Sequence, residues 1–582
     1  MKNIYAFLVC CLAVTVTNAQ TPFQRVYTML NTKCQNSTCH SATSSDALKF
    51  DGTSAQVFAA LYNVPASNAS SVAKHEKLVK QQHPYYSFLL RKIAGAGFDT
   101  DLAIDTTTEG ALMLDTSGQQ LSKKEIEFVR QWIMFGAKQT YSGSEPQPNW
   151  QLVNDFYDSL TVTGVDHFLP KPPKPAVGTG IQLRMGPIFL PITGEIEQEY
   201  LEQQEVYFPY QAEVNEIDGF MNQQSHHFLL FKFQDTTAAT NSNAADKTNM
   251  AKVTLIGTTS FDGDKDLTAS WQNDANLVLP QGTGLFWDQK TVLDMNYHIK
   301  NFNASFILPC DFYFNVYCKQ RGLTTLEMKS QLSQNIAQLI IPTGSHTITY
   351  DDPVNSGTKE MRYLWMTAGH THQWGTTFDL YLRDSTGTMS STKFYDGAGI
   401  ETNNSSYYDN GLGYWDWHHP PIEYWPNLRP TKFGKYGNKK AGIVSTASYN
   451  NTTSSTLFFS TQTNGEMQLW YYMYTSQPLS PVSAINDNTK KGIYFEVMPN
   501  PMNNNGKLVY SLDNTAQVES SIFDVTGKVV ATLVNEVQPA GYKTLEFDAS
   551  RIASGIYFYR LTATATTGGK SFSKINKMAL MK

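Results

Sequence analysis

Hydrophobic and polar positions change their period along the chain. Residues 21–140 place apolar residues at helical spacing between polar loops, and Ser122 with Glu125 three residues on predicts the N-cap of the last helix, running through Phe128 to Ala137. From Pro187 to about residue 480, short alternating runs are separated by Gly, Asn and Asp turns, which predicts β sandwiches. A stretch of that length suits two sandwiches. The last ninety or so residues alternate again around Asp524-Val525-Thr526-Gly527-Lys528 and predict a small separate β sandwich. Prolines cluster at 170, 172, 173 and 175, so 141–185 reads as an extended connector with Asp155-Phe156-Tyr157 able to pack on a neighbour. At the start, Lys2, the apolar run Ile4 to Val16 and Thr17-Asn18-Ala19 read as a secretory signal; no later run is long and apolar enough to span a membrane. The expected fold is therefore mainly β. Its divisions are 1–19 signal peptide, 20–140 helical domain, 141–185 linker, 186–325 first sandwich, 326–480 second sandwich and 490–582 terminal sandwich.

Composition narrows the class. The chain has 582 residues with 45 basic against 51 acidic side chains and no basic stripe, which argues against a nucleic-acid partner. Aromatics make up 13%, and Asn, Thr, Ser and Gly are abundant, as in β-rich extracellular domains. Cys10 and Cys11 leave with the signal, so the mature chain keeps Cys34, Cys39, Cys310 and Cys318. A Cys310–Cys318 disulfide is expected if a turn brings their strands together. No Ser/His/Asp triad or phosphate loop is evident.

Cys34-Gln35-Asn36-Ser37-Thr38-Cys39-His40 puts two cysteines directly ahead of a histidine. That order points to covalent haem attachment, with His40 as proximal iron ligand, although the spacing is C-x4-C-H rather than C-x-x-C-H. The competing reading is a Cys34–Cys39 disulfide with His40 incidental. Ala111-Leu112-Met113-Leu114, followed by the helix after Ser122, resembles the methionine loop and C-terminal helix of a class I cytochrome c domain. The resemblance implies haem c, with Met113 as sixth ligand and Met29 as the next candidate.

A second motif closes the strand-like run Tyr363-Leu364-Trp365-Met366: Gly369-His370-Thr371-His372-Gln373-Trp374-Gly375. Histidines at i and i+2 of a strand share a face and can hold one cation, and imidazole suits copper, zinc, iron and nickel alike. Three further stretches fall in the same β region: Ser225-His226-His227-Phe228-Leu229-Leu230-Phe231, Leu293-Asp294-Met295-Asn296-Tyr297-His298, and Gly465-Glu466-Met467-Gln468-Leu469-Trp470-Tyr471. Together and in this order they resemble the copper type II, ascorbate-dependent monooxygenases, the family of peptidylglycine α-hydroxylating monooxygenase and dopamine β-monooxygenase. The preceding run Ile443 to Asn450 resembles the strand before that family's methionine motif. The resemblance covers roughly residues 185 to 476.

That resemblance implies two copper ions in two tandem β-sandwich domains. His226, His227 and His298 would bind the electron-transfer copper; His370, His372 and Met467 would bind the oxygen-activating copper. Three neutral imidazoles accept both copper states, whereas a thioether favours Cu(I), the state that meets dioxygen. Asn296 shares a face with His298 and is the alternative in strict register. Where the peptide-amidating members carry a carboxylate-gripping arginine this chain has Ala368, and Leu469 replaces an asparagine; Tyr471 keeps the following aromatic position. The expected substrate is therefore not a peptide ending in glycine. His418-His419, in an aromatic loop, reads as packing near the second site, and His167 and His346 read as surface or capping residues.

Val497-Met498-Pro499-Asn500-Pro501, Asp524-Val525-Thr526-Gly527-Lys528 and Ala553-Ser554-Gly555-Ile556-Tyr557-Phe558-Tyr559 resemble the type A C-terminal sorting domain of the type IX secretion system. This implies export through the outer membrane of a Bacteroidota-type bacterium to the surface or medium, the secretion machinery as partner, and cleavage of the domain. It also argues against ascorbate as reductant. The functional expectation is a secreted dicopper monooxygenase that hydroxylates a C–H bond of an unknown small or peptidic substrate with O2. Its electrons would come from the in-chain haem, fed by an external reductant. The alternative is a cell-surface copper- and haem-binding protein without turnover; a third reading is an adhesin-like scaffold.

Overall fold

In a computed structural model the described residues are 20–34, 40–43, 48–115, 117–142, 146–165, 167–192, 196–222, 225–234, 254–255, 265–271, 275–301, 305–322, 325–398, 406–408, 414–417, 420–460, 465–479, 495–498, 505–512, 515–524, 526–539, 541–566 and 572–580. The chain is mainly β and divides into two compact units, Met1–Tyr210 with Asp218–Ala275 and Asp288–Val316, and Gln211–Ile217 with Asn276–Trp287 and Tyr317–Lys582. No helix among the described residues is long and apolar enough to cross a membrane.

Helices in the first unit start where the sequence supplies caps. Thr21 accepts the Gln24 N–H ahead of Pro22–Lys33, with Pro22 at the position where a missing N–H costs nothing. The Lys123–Met134 helix starts at the predicted Ser122, whose N–H donates to the Glu125 carboxylate at 3.0 Å. Phe23, Leu30, Leu90, Val129, Trp132 and Ile133 form the core beneath.

The stretch read as an extended connector differs from that expectation. Trp150–Thr163 is helical, capped by Asn149 and ended by Gly164 in the left-handed conformation. Its Phe156 is buried against Phe189 of the Gly180–Leu190 strand, so proline density governs only the later part of the segment.

The helical region also packs on strands of the same unit. The Tyr85 hydroxyl donates to the Gly186 carbonyl, Gln131 donates to the Pro187 carbonyl, and Phe135 meets Tyr200 edge-on at 6.0 Å. A five-stranded sheet here runs Thr254–Leu255, Ile196–Tyr207, Lys290–Asn301, Ser225–Phe233, Lys265–Trp271.

The second unit holds a nine-stranded sheet in which Glu360–His370 lies between Leu469–Thr475 and Ile422–Tyr436. Leu364, Phe378, Tyr395, Trp415, Trp470 and Tyr472 fill its core. The C-terminal region is the expected small sandwich. One sheet is Phe495–Met498, Asn505–Leu512 and Gly541–Asp548; the other is Val529–Gln538, Ala516–Phe523, Gly555–Ala565 and Phe572–Leu580. The Val497 N–H donates to the Tyr559 hydroxyl and ties the two sheets together. In the Asp524 turn the carboxylate accepts from the N–H groups of Thr526 and Lys528, with Gly527 at φ 84°.

Candidate metal centres

The first centre is a product of strand register. Lys290–Asn301 pairs antiparallel with both neighbours, setting His298 opposite Glu199 on one side and His227 on the other. Residues directly opposite in a ladder share a face, so three strands bring one donor each to one place. One ligand atom from each of Glu199, His227 and His298 lies within 4.8 Å of the others. His227 Nε2 is 3.9 Å from Glu199 Oε1, and the imidazole planes meet at 83°. Asn296, two residues before His298 on the same face, donates to Glu199 Oε1 at 3.0 Å. His298 therefore stands beside His227, and Asn296 holds the carboxylate.

Vicinal histidines on a regular strand point to opposite faces. The pairing of Ser225–Phe233 shifts by one residue between Ser225 and His227, a bulge of the kind that re-aims side chains. The side chain of His226 lies outside the described residues. Burial lowers the His227 pKa and favours neutral imidazole, the ligating form. Burial pushes the Glu199 carboxyl up, but the neighbouring His227 imidazole, with His298 and the Asn296 amide, outweighs it and holds the group below its ordinary value.

The second centre forms where Glu360–His370 ends. Register sets His370 opposite Leu469 and Ala368 opposite Tyr471, so these four share a face. Gly369 takes the other face, where any Cβ would collide with the Phe378 ring. Its glycine lets the strand lie flat on the core while its neighbours point away. After His370 the chain turns tightly, with the Gly375 N–H donating to the His372 carbonyl.

Glu466 closes that turn onto the segment that carries Met467 into the Leu469–Thr475 strand. Its Oε2 accepts the N–H groups of His372 and Met467, both at 2.9 Å, so these backbones lie within about 6 Å of each other. Its Oε1 accepts the Trp374 N–H. Burial raises the Glu466 carboxyl to about 7 against these backbone donors. His372 is 2% exposed, with Nδ1 3.1 Å from the Gly465 carbonyl, which fixes its ring as metal-ligating imidazoles are fixed. Met467 is 5% exposed, and its carbonyl accepts from the Tyr449 hydroxyl. Trp415 donates to Thr371 at 2.8 Å and stacks on Phe378, so the aromatic loop does pack on this turn; His418 and His419 lie outside the described residues.

Gly369→Ala should destabilise this unit by about 1–3 kcal/mol, the usual cost of forcing a methyl into a filled core. Thermal unfolding of the variant checks this: a lower melting temperature than wild type is expected.

At the haem motif, Cys34 is buried at the end of the Pro22–Lys33 helix and His40 is buried with Nδ1 2.8 Å from the Leu48 carbonyl and its ring on Phe50. A ring fixed through Nδ1 suits a ligating imidazole. Cys39 lies outside the described residues. Met113 is partly buried against the helical core and its N–H donates to the Lys92 carbonyl, whereas Met29 is a core residue.

The expected Cys310–Cys318 disulfide does not form. Both lie on the continuous strand Leu308–Gln320 without an intervening turn, roughly 26 Å apart at ~3.3 Å per residue, while a disulfide needs Cα atoms within about 7 Å. His346 is half-buried with Nε2 3.3 Å from the Thr343 carbonyl, and His167 stacks on Phe306.

Two carboxylates were not singled out from sequence. Glu199 sits in Ile196–Tyr207, which carries glutamates at 197, 199, 202 and 205 without clean alternation, so only pairing shows that it faces the histidines. Glu466 stood in plain view beside Met467, but its role depends on a chain segment 92 residues away.

Comparison with known proteins adds one firm result. A family described as the secretion system C-terminal sorting domain matches residues 496–575. Those residues are a type IX sorting domain. The chain is thus addressed to the cell surface or the outside in Bacteroidota, and the secretion machinery is its partner. No curated protein shows a significant sequence match. Among solved structures, a Parabacteroides merdae β-glucuronidase aligns at 13% identity and TM-score 0.15, covering 42% of this chain and 29% of its own. The adhesin domain of Epf from Streptococcus pyogenes aligns at 9% identity and TM-score 0.12, over 44% of this chain and 76% of that one. The major capsid protein P2 of bacteriophage PM2 aligns at 8% and 0.21, over 51% and 98%. The chain spans less than a third of the glucuronidase, and at these scores the likeness carries neither fold detail nor function.

Proposed function

We propose that the chain is an exported dicopper monooxygenase that hydroxylates a C–H bond, with a c-type haem in its helical region as electron donor. The observation that carries the reading is the tether at Glu466, which binds the backbones of His372 and Met467 together at the end of the strand bearing His370. Two imidazoles and a thioether suit copper, and copper held there would supply dioxygen activation at the expense of two electrons per hydroxylation. His227 and His298, with His226, would hold the other ion.

The residues around the second centre shape what can approach. Ala368, Leu469 and Tyr471 share the His370 face, and none of the four is a permanent cation. That face favours an apolar C–H donor over a carboxylate-bearing one. Glu466 positions both ligand segments, and Gly369 keeps the face clear of the core. The helical region reaches the strand of Glu199 through Phe135 and Tyr200, which supports a donor fixed to the first centre rather than one arriving by diffusion. His40 would hold the iron, with Cys34 and Cys39 as attachment points and Met113 opposite.

The test uses the copper-loaded full chain. With the haem chemically reduced, adding dioxygen should oxidise it only when copper is bound, followed by absorption. Absence of copper-dependent oxidation overturns the reading and leaves the copper- and haem-binding protein without turnover.

A further inference from the structure

We propose that Glu199 is itself a metal ligand, forming with His227 and His298 a site of two imidazoles and one carboxylate for a divalent cation. The proposal shares two histidines with the dicopper reading, but it needs neither the second centre nor any redox step.

Three observations carry it. The three donor atoms lie within 4.8 Å of one another; tetrahedral ligands bound at about 2.0–2.2 Å stand roughly 3.3–3.6 Å apart, so closure by about an ångström brings the three onto one ion. The donors come from three adjacent hydrogen-bonded strands, so the cluster is built into the sheet rather than carried on a loop. And the carboxylate is incompletely satisfied where it lies. Glu199 is 8% exposed, Asn296 donates to Oε1, and Oε2 is buried with no hydrogen-bond partner among the described residues. A purely structural buried carboxylate is normally paired at both oxygens, and the 3.9 Å separation from His227 is long for a hydrogen bond. A cation between Glu199 and the imidazoles would account for both features, with Asn296 orienting the carboxylate from behind, as partners of ligating groups do.

The donor set predicts the class of ion. A hard carboxylate oxygen with two imidazoles suits zinc, cobalt or cupric ion over the cuprous state, which prefers softer donors. This centre should therefore favour divalent ions more strongly than three imidazoles alone would.

The test is equilibrium binding of Zn(II), and of Co(II) followed by its visible absorption, to the full-length metal-free chain. Two backgrounds are compared, the wild type and His370→Ala/His372→Ala, which removes the second centre. Glu199→Gln keeps the shape and one acceptor and should weaken divalent binding at this site by about 100-fold and alter the Co(II) spectrum. Glu199→Asp should recover part of the affinity. His298→Ala serves as the positive control for loss. Unchanged Zn(II) affinity and Co(II) spectrum in a folded Glu199→Gln protein, judged by circular dichroism, overturns the proposal. Divalent binding that survives in the double-histidine variant while copper-dependent haem oxidation is absent even in the wild type would uphold this site and sink the dicopper reading. The reverse pattern would do the opposite.

Discussion

Met467→Ile should leave the full chain folded while slowing dioxygen-driven oxidation of its reduced haem by about 100-fold, the scale on which loss of support at a metal site is felt. Isoleucine matches methionine in hydrophobicity and nearly in volume, and Met467 is 5% exposed, so the substitution should cost less than about 1.5 kcal/mol. The anchoring of the strand does not depend on the side chain. The Met467 N–H is held by Glu466 and its carbonyl by the Tyr449 hydroxyl, both through backbone atoms that isoleucine also has. What disappears is the thioether, the soft donor that favours the cuprous state. Three readouts separate the outcomes: thermal unfolding should be nearly unchanged, cuprous ion bound at this centre should fall, and the oxidation rate should collapse. A folded variant that oxidises its haem at the wild-type rate would remove Met467 from the ligand set.

Residues whose role is set by their own strand were readable from sequence, and residues whose role is set by a partner strand were not. The apolar run into His370, the His226-His227 pair at the head of Ser225–Phe233, and the Ser122–Glu125 cap are local patterns, and each lies at the expected end of its element. Glu199 and Glu466 gain their meaning from register with residues roughly a hundred positions away, which periodicity does not encode. Asn296 and His298 shared a face by spacing alone; pairing with His227 separated their roles. The cysteine expectation failed on continuity: Leu308–Gln320 runs without glycine or a turn dipeptide, and its central residues Phe312, Tyr313 and Phe314 are buried, as in a single long strand. Between the prolines at 146 and 148 and those from 170 on, Asn149 as a cap and Val153 with Phe156 as a buried pair at helical spacing decide for a helix over an extended connector.

Arg184→Met should destabilise the first unit by about 3–5 kcal/mol, because it strips the shared cation from the buried carboxylate of Asp311 and the mostly buried one of Asp99. Arg184 Nε donates to Asp311 Oδ1 at 2.8 Å and Nη1 donates to Asp99 Oδ2 at 2.6 Å, with the guanidinium against the rings of Tyr85 and Tyr313. Arg130 also bonds Asp99 and pairs with Glu127, so the network joins the helical region to the Gly180–Leu190 and Leu308–Gln320 strands. Burial raises the carboxyl of Asp99, yet Arg184 and Arg130 outweigh it and bring the value from 3.8 to about 2. A carboxyl with a depressed folded pKa adds stability above its ordinary value and loses it as pH falls through the folded one. For Asp99 that is about 2 kcal/mol, present above pH 4 and lost between about pH 4 and 2. Acid titration of the wild type should therefore show a loss of first-unit stability within that window, and Arg184→Met should shift it to higher pH. At neutral pH the variant should melt about 10 °C lower. Asp99→Asn separates the charge from the packing: it should flatten the acid window yet cost less than Arg184→Met, since Arg184 keeps Asp311. If Arg184→Met melts within a degree or two of wild type and keeps the same acid midpoint, the buried ion pairs do not hold the helical region on the strands of the first unit, and contacts such as Phe135 on Tyr200 must carry that docking instead.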